Sequence, residues 1–508
     1  MARADAPGVY AITNGVVHPV AGPQIGRGTV VIRDGLIESV GAGVAVPPDA
    51  TVVDVGGAHV YPGFIDAYTT LGFTAPRRTG VSVSDQRRDD AAINAASMAA
   101  ERVSLSDEEV DAKRATGVTT IVAAPTAAIF NGQSVVLNLG PGGTPSRVIR
   151  NRAAMHVAFN TRRASTYPGS LMGVISYIRQ TLFDAQQHSV AMAVYERSPS
   201  GLRRPESDAA LEALVPLIRR EMPAVFAADG ELAMRRAMAI AREFNLRLVL
   251  AGARQAYRMP ADLRDVPVLV SVKWPVAPSS AEDRAEQPLR VIRDRALSPT
   301  TPSVLARAGV RFALVSAPGK TADLIPGIRK AMENGLTADD ALRAVTLTPA
   351  AIFGVDRQLG SIERGKIANL VISNGPVFSE GSKITRLFVD GREVRLPAEE
   401  KKETADAAAS PIDGSWALSV STPQGSVAIT VSLRLENEQV TGSFSGDRGS
   451  GQIRPGTFDG TTLEFSISAQ VEAEPGEWLF RGTVREGGIE GTVTTSAGTF
   501  QFTGRKSS

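Results

Sequence analysis

Four histidines and the absence of cysteine set narrow limits on the chemistry that this sequence of 508 residues can perform. Without cysteine the chain forms no disulfide, no zinc–thiolate site and no cysteine nucleophile. Hydrolysis assisted by a metal needs several imidazole or carboxylate ligands that converge on one ion, at distances of roughly 2 Å. The available imidazoles belong to His18, His59, His156 and His188. The surroundings of each histidine therefore decide whether such a site can exist.

Three other functional patterns are absent or incomplete in the sequence. A serine hydrolase of the elbow type needs G-x-S-x-G, and the sequence contains no such run. Gly319-Lys320-Thr321 resembles the end of a phosphate-binding loop, but Leu314 stands where that loop requires its first glycine. No glycine triplet with dinucleotide-binding spacing follows a predicted strand. The sequence thus gives no support for these classes of enzyme.

Charge and hydropathy give no indication of a nucleic-acid or membrane partner. The formal net charge of +2 gives no electrostatic reason to expect nucleic acid or a membrane surface. No apolar run reaches the roughly 18–20 residues that a membrane span requires. Ala4-Asp5-Ala6 resembles the small-residue tail of a signal-peptidase site. This leaves two compartments open, the periplasm for a trimmed exported protein and the cytoplasm otherwise.

The elements that must position any site change character along the chain. Residues 8–58 read as short strands, and Asp34-Gly35 predicts a hairpin turn between two of them. Residues 62–350 alternate short buried-strand runs with amphipathic helices, the last beginning at Thr337 with Asp340 in capping position. Strand–helix alternation over this length predicts an α/β fold, a (β/α)8 TIM-like barrel.

The ends of the chain predict β structure. We expect 8–60 and 351–397 to form one composite β-sandwich around a barrel at 61–350. Residues 398–411 are charged and then rich in Ala and Ser, which is typical of a linker. In residues 412–508 apolar and polar residues alternate in short runs, and glycines interrupt these runs. This pattern predicts a small all-β barrel or sandwich of roughly eight strands.

Three motifs in order carry a family resemblance. Pro62-Gly63-Phe64-Ile65-Asp66-Ala67 is similar to the first barrel strand of the amidohydrolase superfamily, in its imidazolonepropionase-like group. Ala115-Thr116-Gly117-Val118-Thr119-Thr120 resembles the approach to a later strand, and Thr346-Leu347-Thr348-Pro349-Ala350 a segment after the last one. The resemblance covers about residues 8–397. It implies a barrel with one or two divalent metals, zinc or another ion, at its C-terminal mouth.

The same resemblance fixes where the family's ligands and catalytic aspartate would stand. Those positions hold Tyr68, Thr70, His156, Ala227, Gly252 and, after Ser316, Ala317. Only His156 among the histidines is expected to face the mouth, since His18 and His59 precede the barrel and His188 is predicted at the end of a helical stretch. One imidazole cannot hold a catalytic metal. We therefore expect a degenerate site, with no metal and no cofactor in this chain.

The remaining mouth residues suggest other uses. Tyr68 is expected to fill the vacated metal pocket, and Ser316 to be a satisfied strand-end hydroxyl. Arg254 and Lys273 either direct cations towards the former metal site or are solvated strand ends. With His156, these residues are the predicted lining of the mouth.

Three functions remain open. The first is a non-catalytic subunit in a homo- or hetero-oligomer, paired with a metal-bearing amidohydrolase homologue. The second is a module that binds a small cyclic amide, a peptide or an anion at the mouth. The third is a metal-independent cyclic amide hydrolase that uses Tyr68, His156 and Lys273.

Overall fold

A computed structural model describes residues 8–73, 92–126, 128–161, 167–278, 284, 286–316, 324–396 and 410–507, without the pairs 423–424, 437–438, 447–448, 472–473, 486–487 and 496–497. Ala4-Asp5-Ala6, Ala317 and most of the predicted linker 398–411 lie outside the described residues. The chain divides into two compact units, Met1–Pro397 and Ala398–Ser508. The finer boundaries predicted within the first unit remain a prediction.

Both ends of the first unit join in one sheet. Its strands are β1 (Tyr10–Val17), β2 (Ile25–Arg33), β3 (Leu36–Gly41), β4 (Thr51–Asp54), β5 (His59–Pro62), β16 (Leu370–Ser373), β17 (Ile384–Val389) and β18 (Arg392–Val394). They follow the order β18-β17-β16-β5-β1-β2-β3, with β4 on β1. Asp34 and Gly35 both have positive φ, +52° and +80°, which fits the predicted hairpin turn between β2 and β3.

The barrel lies between these two sets of strands. Its strands are β6 (Phe64–Thr69), β7 (Val118–Ala123), β8 (Phe130–Gln133), β9 (Val135–Asn138), β10 (Val148–Arg150), β11 (Met155–Ala158), β12 (Ala224–Ala228), β13 (Leu248–Gly252), β14 (Val268–Ser271) and β15 (Phe312–Val315). The interior is filled by short aliphatic side chains such as Ile65, Val122, Val225 and Leu269. The predicted TIM-like fold class is confirmed.

One barrel position departs from the expected parallel order. β9 pairs antiparallel with β7, and β8, which directly precedes it, pairs antiparallel with β11. Residues 124–129 separate the end of β7 from the start of β8. That segment is too short for a crossover to a parallel strand, which takes roughly a dozen residues or more. Between β7 and β11 the barrel is therefore completed by the antiparallel strands β8 and β9. The sequence predicted a parallel βα unit at this position.

The described helices of this unit are α1 (Ala99–Arg102), α2 (Asp107–Ala115), α3 (Thr144–Arg147), α4 (Leu171–Arg197), α5 (Ala209–Ile218), α6 (Glu231–Glu243), α7 (Leu289–Leu297), α8 (Thr301–Arg307), α9 (Leu324–Glu333), α10 (Ala338–Ala344) and α11 (Leu347–Ile352). Short 3-10 turns occupy Ala256–Arg258, Pro260–Leu263 and Ser298–Thr300. Thr337 accepts a hydrogen bond from the Asp340 amide, as the capping pattern predicted. Within the described part of the chain, no helix combines the length and the apolar character needed to cross a membrane.

The second unit is a closed β-barrel. Its strands are β19 (Gly414–Thr422), β20 (Gly425–Glu436), β21 (Gln439–Gly446), β22 (Gly449–Gln452), β23 (Arg454–Phe458), β24 (Thr462–Val471), β25 (Glu474–Arg485), β26 (Gly488–Thr495) and β27 (Gly498–Ser507). Successive pairings run from β20 through β19, β27, β26, β25, β24 and β23 to β21, and β20 also pairs with β21. Trp416, Phe465, Phe480 and Phe502 are buried in its core. The predicted all-β domain is thus a barrel.

Candidate ligand site at the barrel mouth

A cavity of about 570 Å³ opens at the carboxyl ends of β12, β13 and β14. Residues that line it include Tyr68, Ala227, Gly252, Arg254, Lys273 and Trp274. In parallel βα barrels this end of the strands is where ligand-binding side chains gather. The structure therefore brings together most of the residues that the sequence placed at the mouth.

Three predicted positions lie elsewhere. Thr70 follows the end of β6, is exposed and does not line this cavity. Ser316 directly follows β15, is fully buried and does not line this cavity. His156 lies on β11, is 2% exposed and reaches the site only through Tyr68.

Tyr68 and His156 form a flat stack behind the cavity. Their ring centroids are 5.4 Å apart and their planes differ by 9°. Burial lowers the pKa of His156 to about 3, so this imidazole is neutral near neutral pH. Burial raises the pKa of Tyr68 above its usual value, so the phenol keeps its proton. Among the described residues, neither His156 Nε2 nor the Tyr68 hydroxyl has a hydrogen-bond partner.

The two cations predicted at the mouth differ in their surroundings. Arg254 is held by Asp229, whose oxygens accept from its Nε at 2.9 and 2.8 Å and from its backbone amide at 3.1 Å. These hydrogen bonds to Asp229 raise the pKa of Arg254. Lys273 is exposed, and its ammonium group has no partner among the described residues. The free positive charge of the cavity is therefore that of Lys273.

The other histidines lie away from the mouth. His18 Nε2 and His59 Nδ1 are 2.9 Å apart near the start of the barrel, where the ring of Tyr61 stacks on that of His18. His188 lies inside the long helix α4, where the sequence predicted the end of a helical stretch, because the helix continues to Arg197. In the described parts of the chain, no three His, Asp or Glu side chains come together in a way that could hold a metal ion.

A buried polar cluster of Asp66, Lys113 and Ser316 was not predicted from the sequence. Lys113 Nζ donates to Asp66 Oδ2 at 2.5 Å and to Ser316 Oγ at 3.1 Å. The Ser316 amide and hydroxyl donate to the same carboxylate at 3.1 and 2.5 Å. The side chains of Asp66 and Lys113 are 0% and 1% exposed. Charges this deeply buried are tolerated only when they are paired and hydrogen-bonded, as they are here.

This cluster closes the barrel. β6 and β15 adjoin but belong to different sheets, and among the described residues no ladder joins them. Asp66 on β6 instead accepts from the backbone just after β15, while Lys113 reaches in from α2. The only signal in the sequence was the place of Lys113 beside Val110 on the buried face of a capped helix. Carboxylate and ammonium here replace missing strand hydrogen bonds.

Comparisons with known proteins agree with this architecture. A sequence pattern described as "Amidohydrolase family" matches residues 289–394. The imidazolonepropionase of Symbiobacterium thermophilum is 25% identical over 423 residues, which cover 72% of this chain and 91% of that protein. A crystal structure of an amidohydrolase from Thermotoga maritima MSB8 superposes with a TM-score of 0.65 at 25% identity, covering 76% of this chain and 100% of the other. The chain is thus similar to amidohydrolases in sequence and in fold.

Proposed function

We propose that this chain is a non-catalytic amidohydrolase relative that acts in an assembly with a metal-bearing homologue. The observation that carries the proposal is the set of side chains around the mouth, which includes Tyr68, Ala227 and Gly252. The resemblance to amidohydrolases assigns these three positions to metal ligands. None of these three side chains offers an imidazole or a carboxylate. Zinc and similar ions require several such donors at one point.

The remaining polar groups of the site do not fit a divalent ion either. Asp229 is the carboxylate of the cavity, and it is engaged by Arg254. His156 is separated from the cavity by the ring of Tyr68, and the free cation Lys273 repels a dication. We therefore derive no catalytic step through a metal in this chain.

Exposed apolar residues on α4 support the part of the proposal that concerns assembly. Met172, Phe183, Val190 and Val194 are 80%, 47%, 59% and 48% exposed. Their spacing places them along one face of the helix, because positions seven or eleven residues apart return to nearly the same direction. We take this row of exposed apolar side chains as the surface that meets the partner chain.

The test is native mass spectrometry combined with elemental analysis on the protein purified from its own host. We expect a complex that contains a second, histidine-rich chain, with the divalent metal assigned to that companion. The purified single chain should not hydrolyse cyclic amides with or without added zinc. A lone homo-oligomer with one tightly bound zinc, iron or manganese per chain, and activity lost on chelation, would refute the proposal.

A second candidate function is ligand binding at the mouth without turnover. The cavity of about 570 Å³ lies in the range of small-molecule sites, and it combines the rings of Tyr68 and Trp274 with the free cation of Lys273. These features suit a small cyclic amide that bears a carboxylate. Isothermal titration with such compounds should show binding that Lys273→Gln weakens, and flat titrations with wild-type protein would exclude it.

Metal-independent hydrolysis has less support. The imidazole of His156, which would act as base, is neutral, but its Nε2 atom is buried and has no hydrogen-bond partner among the described residues. A general base must reach the proton that it removes, directly or through one water. Tyr68 lies between this ring and the cavity. We therefore rank this hypothesis below the other two.

A further inference from the structure

A second cavity lies at the opposite end of the barrel from the mouth. It measures about 410 Å³ and is lined at the amino ends of β13, β14 and β15, where Arg247, Pro267 and Arg311 come just before each strand. Arg220, just beyond α5, and Arg242, in the last turn of α6, complete its basic wall. None of these residues takes part in the site described above.

The charge of this cavity is strongly one-sided. Four arginines line it, and Asp265 is the one carboxylate among its lining residues. Elsewhere in the described chain, arginines commonly pair with carboxylates, as Arg33 does with Asp49 and Arg179 with Glu243. Here the side chains of Arg242 and Arg311 have no partner among the described residues. All four arginines are exposed, so water and salt screen part of their mutual repulsion, and an anion between them would remove more of it.

Helix ends account for part of the cluster and leave the rest unexplained. Cations near a helix C-terminus are favoured by the helix dipole, which suits Arg220 and Arg242. Arg247 and Arg311 precede strands, where no such field acts. Arg220 is also fixed in position, because its Nη1 donates to the backbone oxygen of Asn245 at 3.0 Å and to Oδ1 of the same residue at 2.5 Å.

We propose that this cavity, formed by Arg220, Arg242, Arg247 and Arg311, binds a small multiply charged oxyanion. The planar guanidinium group donates two parallel hydrogen bonds to a phosphate or carboxylate, which makes arginine the preferred residue for such groups. The size of the cavity lies in the range of small-molecule sites. The ligand carries two or more negative charges, on phosphate or on carboxylate groups.

The test is isothermal titration and thermal unfolding of the full chain with pyrophosphate and, separately, with citrate. Sodium chloride at matched ionic strength is the reference, because a specifically bound anion must raise the unfolding temperature by more than ionic screening alone does. We expect saturable binding of at least one of the two anions and a higher unfolding temperature with it, since a ligand of the native state stabilises that state. The arm that responds identifies phosphate or carboxylate as the group recognised.

Variants assign the site. Arg247→Gln combined with Arg311→Gln should weaken binding by about tenfold or more, and Arg242→Gln alone should weaken it measurably. The matched control is Arg203→Gln with Arg204→Gln, in an exposed loop outside this cavity, which should bind as wild type. If the double variant fails to fold, Arg242→Gln, changed on an exposed helix position, still reports on the site.

Several results would overturn the proposal. Absence of heat and of a thermal shift with both anions at millimolar concentration is one, and a shift equal to that in sodium chloride is another. Equal loss of binding in the Arg203 and Arg204 control would show a nonspecific effect of charge. Binding of polyglutamate alone, with neither small anion bound, would replace the small-molecule site with a surface for an acidic protein segment.

Discussion

Tyr68 lies flat against His156, with 5.4 Å between the two ring centroids. The pair joins β6 to β11 across the top of the barrel. Tyrosine here supplies volume and stacking where the resemblance to amidohydrolases implies a metal-binding histidine. The mouth is thereby a packed surface with a cavity in front of it.

Removal of the Tyr68 ring should destabilise the barrel unit. Tyr68→Ala leaves a void beside His156, and the loss of a largely buried aromatic ring costs about 3 kcal/mol. Tyr68→Phe keeps the stack and removes a hydroxyl that has no partner among the described residues, so it should cost less than about 1 kcal/mol. Urea unfolding followed by tryptophan fluorescence measures both. A Phe variant as unstable as the Ala variant would show that the hydroxyl, not the ring, matters.

Stability should fall in acid because of His156. Its pKa is about 3 when folded and near 6.5 when unfolded, so the unfolded state binds the proton first as pH falls. The stability is complete above about pH 6.5 and is lost progressively as pH falls towards 3, at up to about 1.4 kcal/mol per pH unit. His18, with a pKa of about 4 through burial, acts in the same direction.

The variant His156→Phe should flatten this dependence. It keeps a ring against Tyr68, removes the titrating group and breaks no hydrogen bond of Nε2 within the described residues. The gap in unfolding temperature between wild type and variant, measured at about pH 8 and again at about pH 5, should shift in favour of the variant at the lower pH. Parallel curves for the two proteins would contradict the assignment.

Breaking the Asp66–Lys113 pair on one side should be costly. Lys113→Met leaves a buried carboxylate and Asp66→Asn a buried ammonium, and each should cost about 3–5 kcal/mol. The double variant should cost clearly less than the sum of the singles, because it removes both charges. Arg179→Met, at the exposed pair with Glu243, is the control and should cost less than about 1 kcal/mol. Additive single effects in thermal unfolding would show that the two charges do not act together.

Placing histidine at position 252 should not restore a metal site. Gly252 has φ +94°, a conformation that side chains with a Cβ rarely adopt. Gly252→His should therefore cost about 1–3 kcal/mol of backbone strain. Gly252→Ala carries the same strain without the imidazole and should lose a similar amount. Zinc that raises the unfolding temperature of the His variant, and not that of the Ala variant, would contradict this expectation.

Local signals in the sequence predicted the elements well. Apolar periodicity located α6 and β7, and turn chemistry located Asp34-Gly35, because these depend on neighbouring residues only. The antiparallel β9 was missed, since a buried strand has the same composition in either direction. The three motifs predicted the barrel through their resemblance to amidohydrolases. The positions of the strand ends were inferred from the same resemblance.

The candidate site was likewise predicted only in part. Tyr68, Arg254 and Lys273 meet at the cavity as predicted from strand-end positions. The pairing of Arg254 with Asp229 and of Ser316 with Lys113 depends on contacts between segments far apart in the chain, which spacing does not reveal. The basic cavity at the other end of the barrel was missed for the same reason, because its arginines come from separate loops and helix ends.

The pairing of β20 with β21 has a consequence for how the second unit can meet other proteins. A strand with a free edge can template the addition of a foreign strand, in recruitment of a peptide or in fibril growth. In the closed ring each strand has neighbours on both sides, and among the described strands only the short β22 stands outside it. A protein that docks on the ring strands must therefore use side chains and turns, whereas β22, which pairs with β21, keeps one edge without a ladder among the described strands.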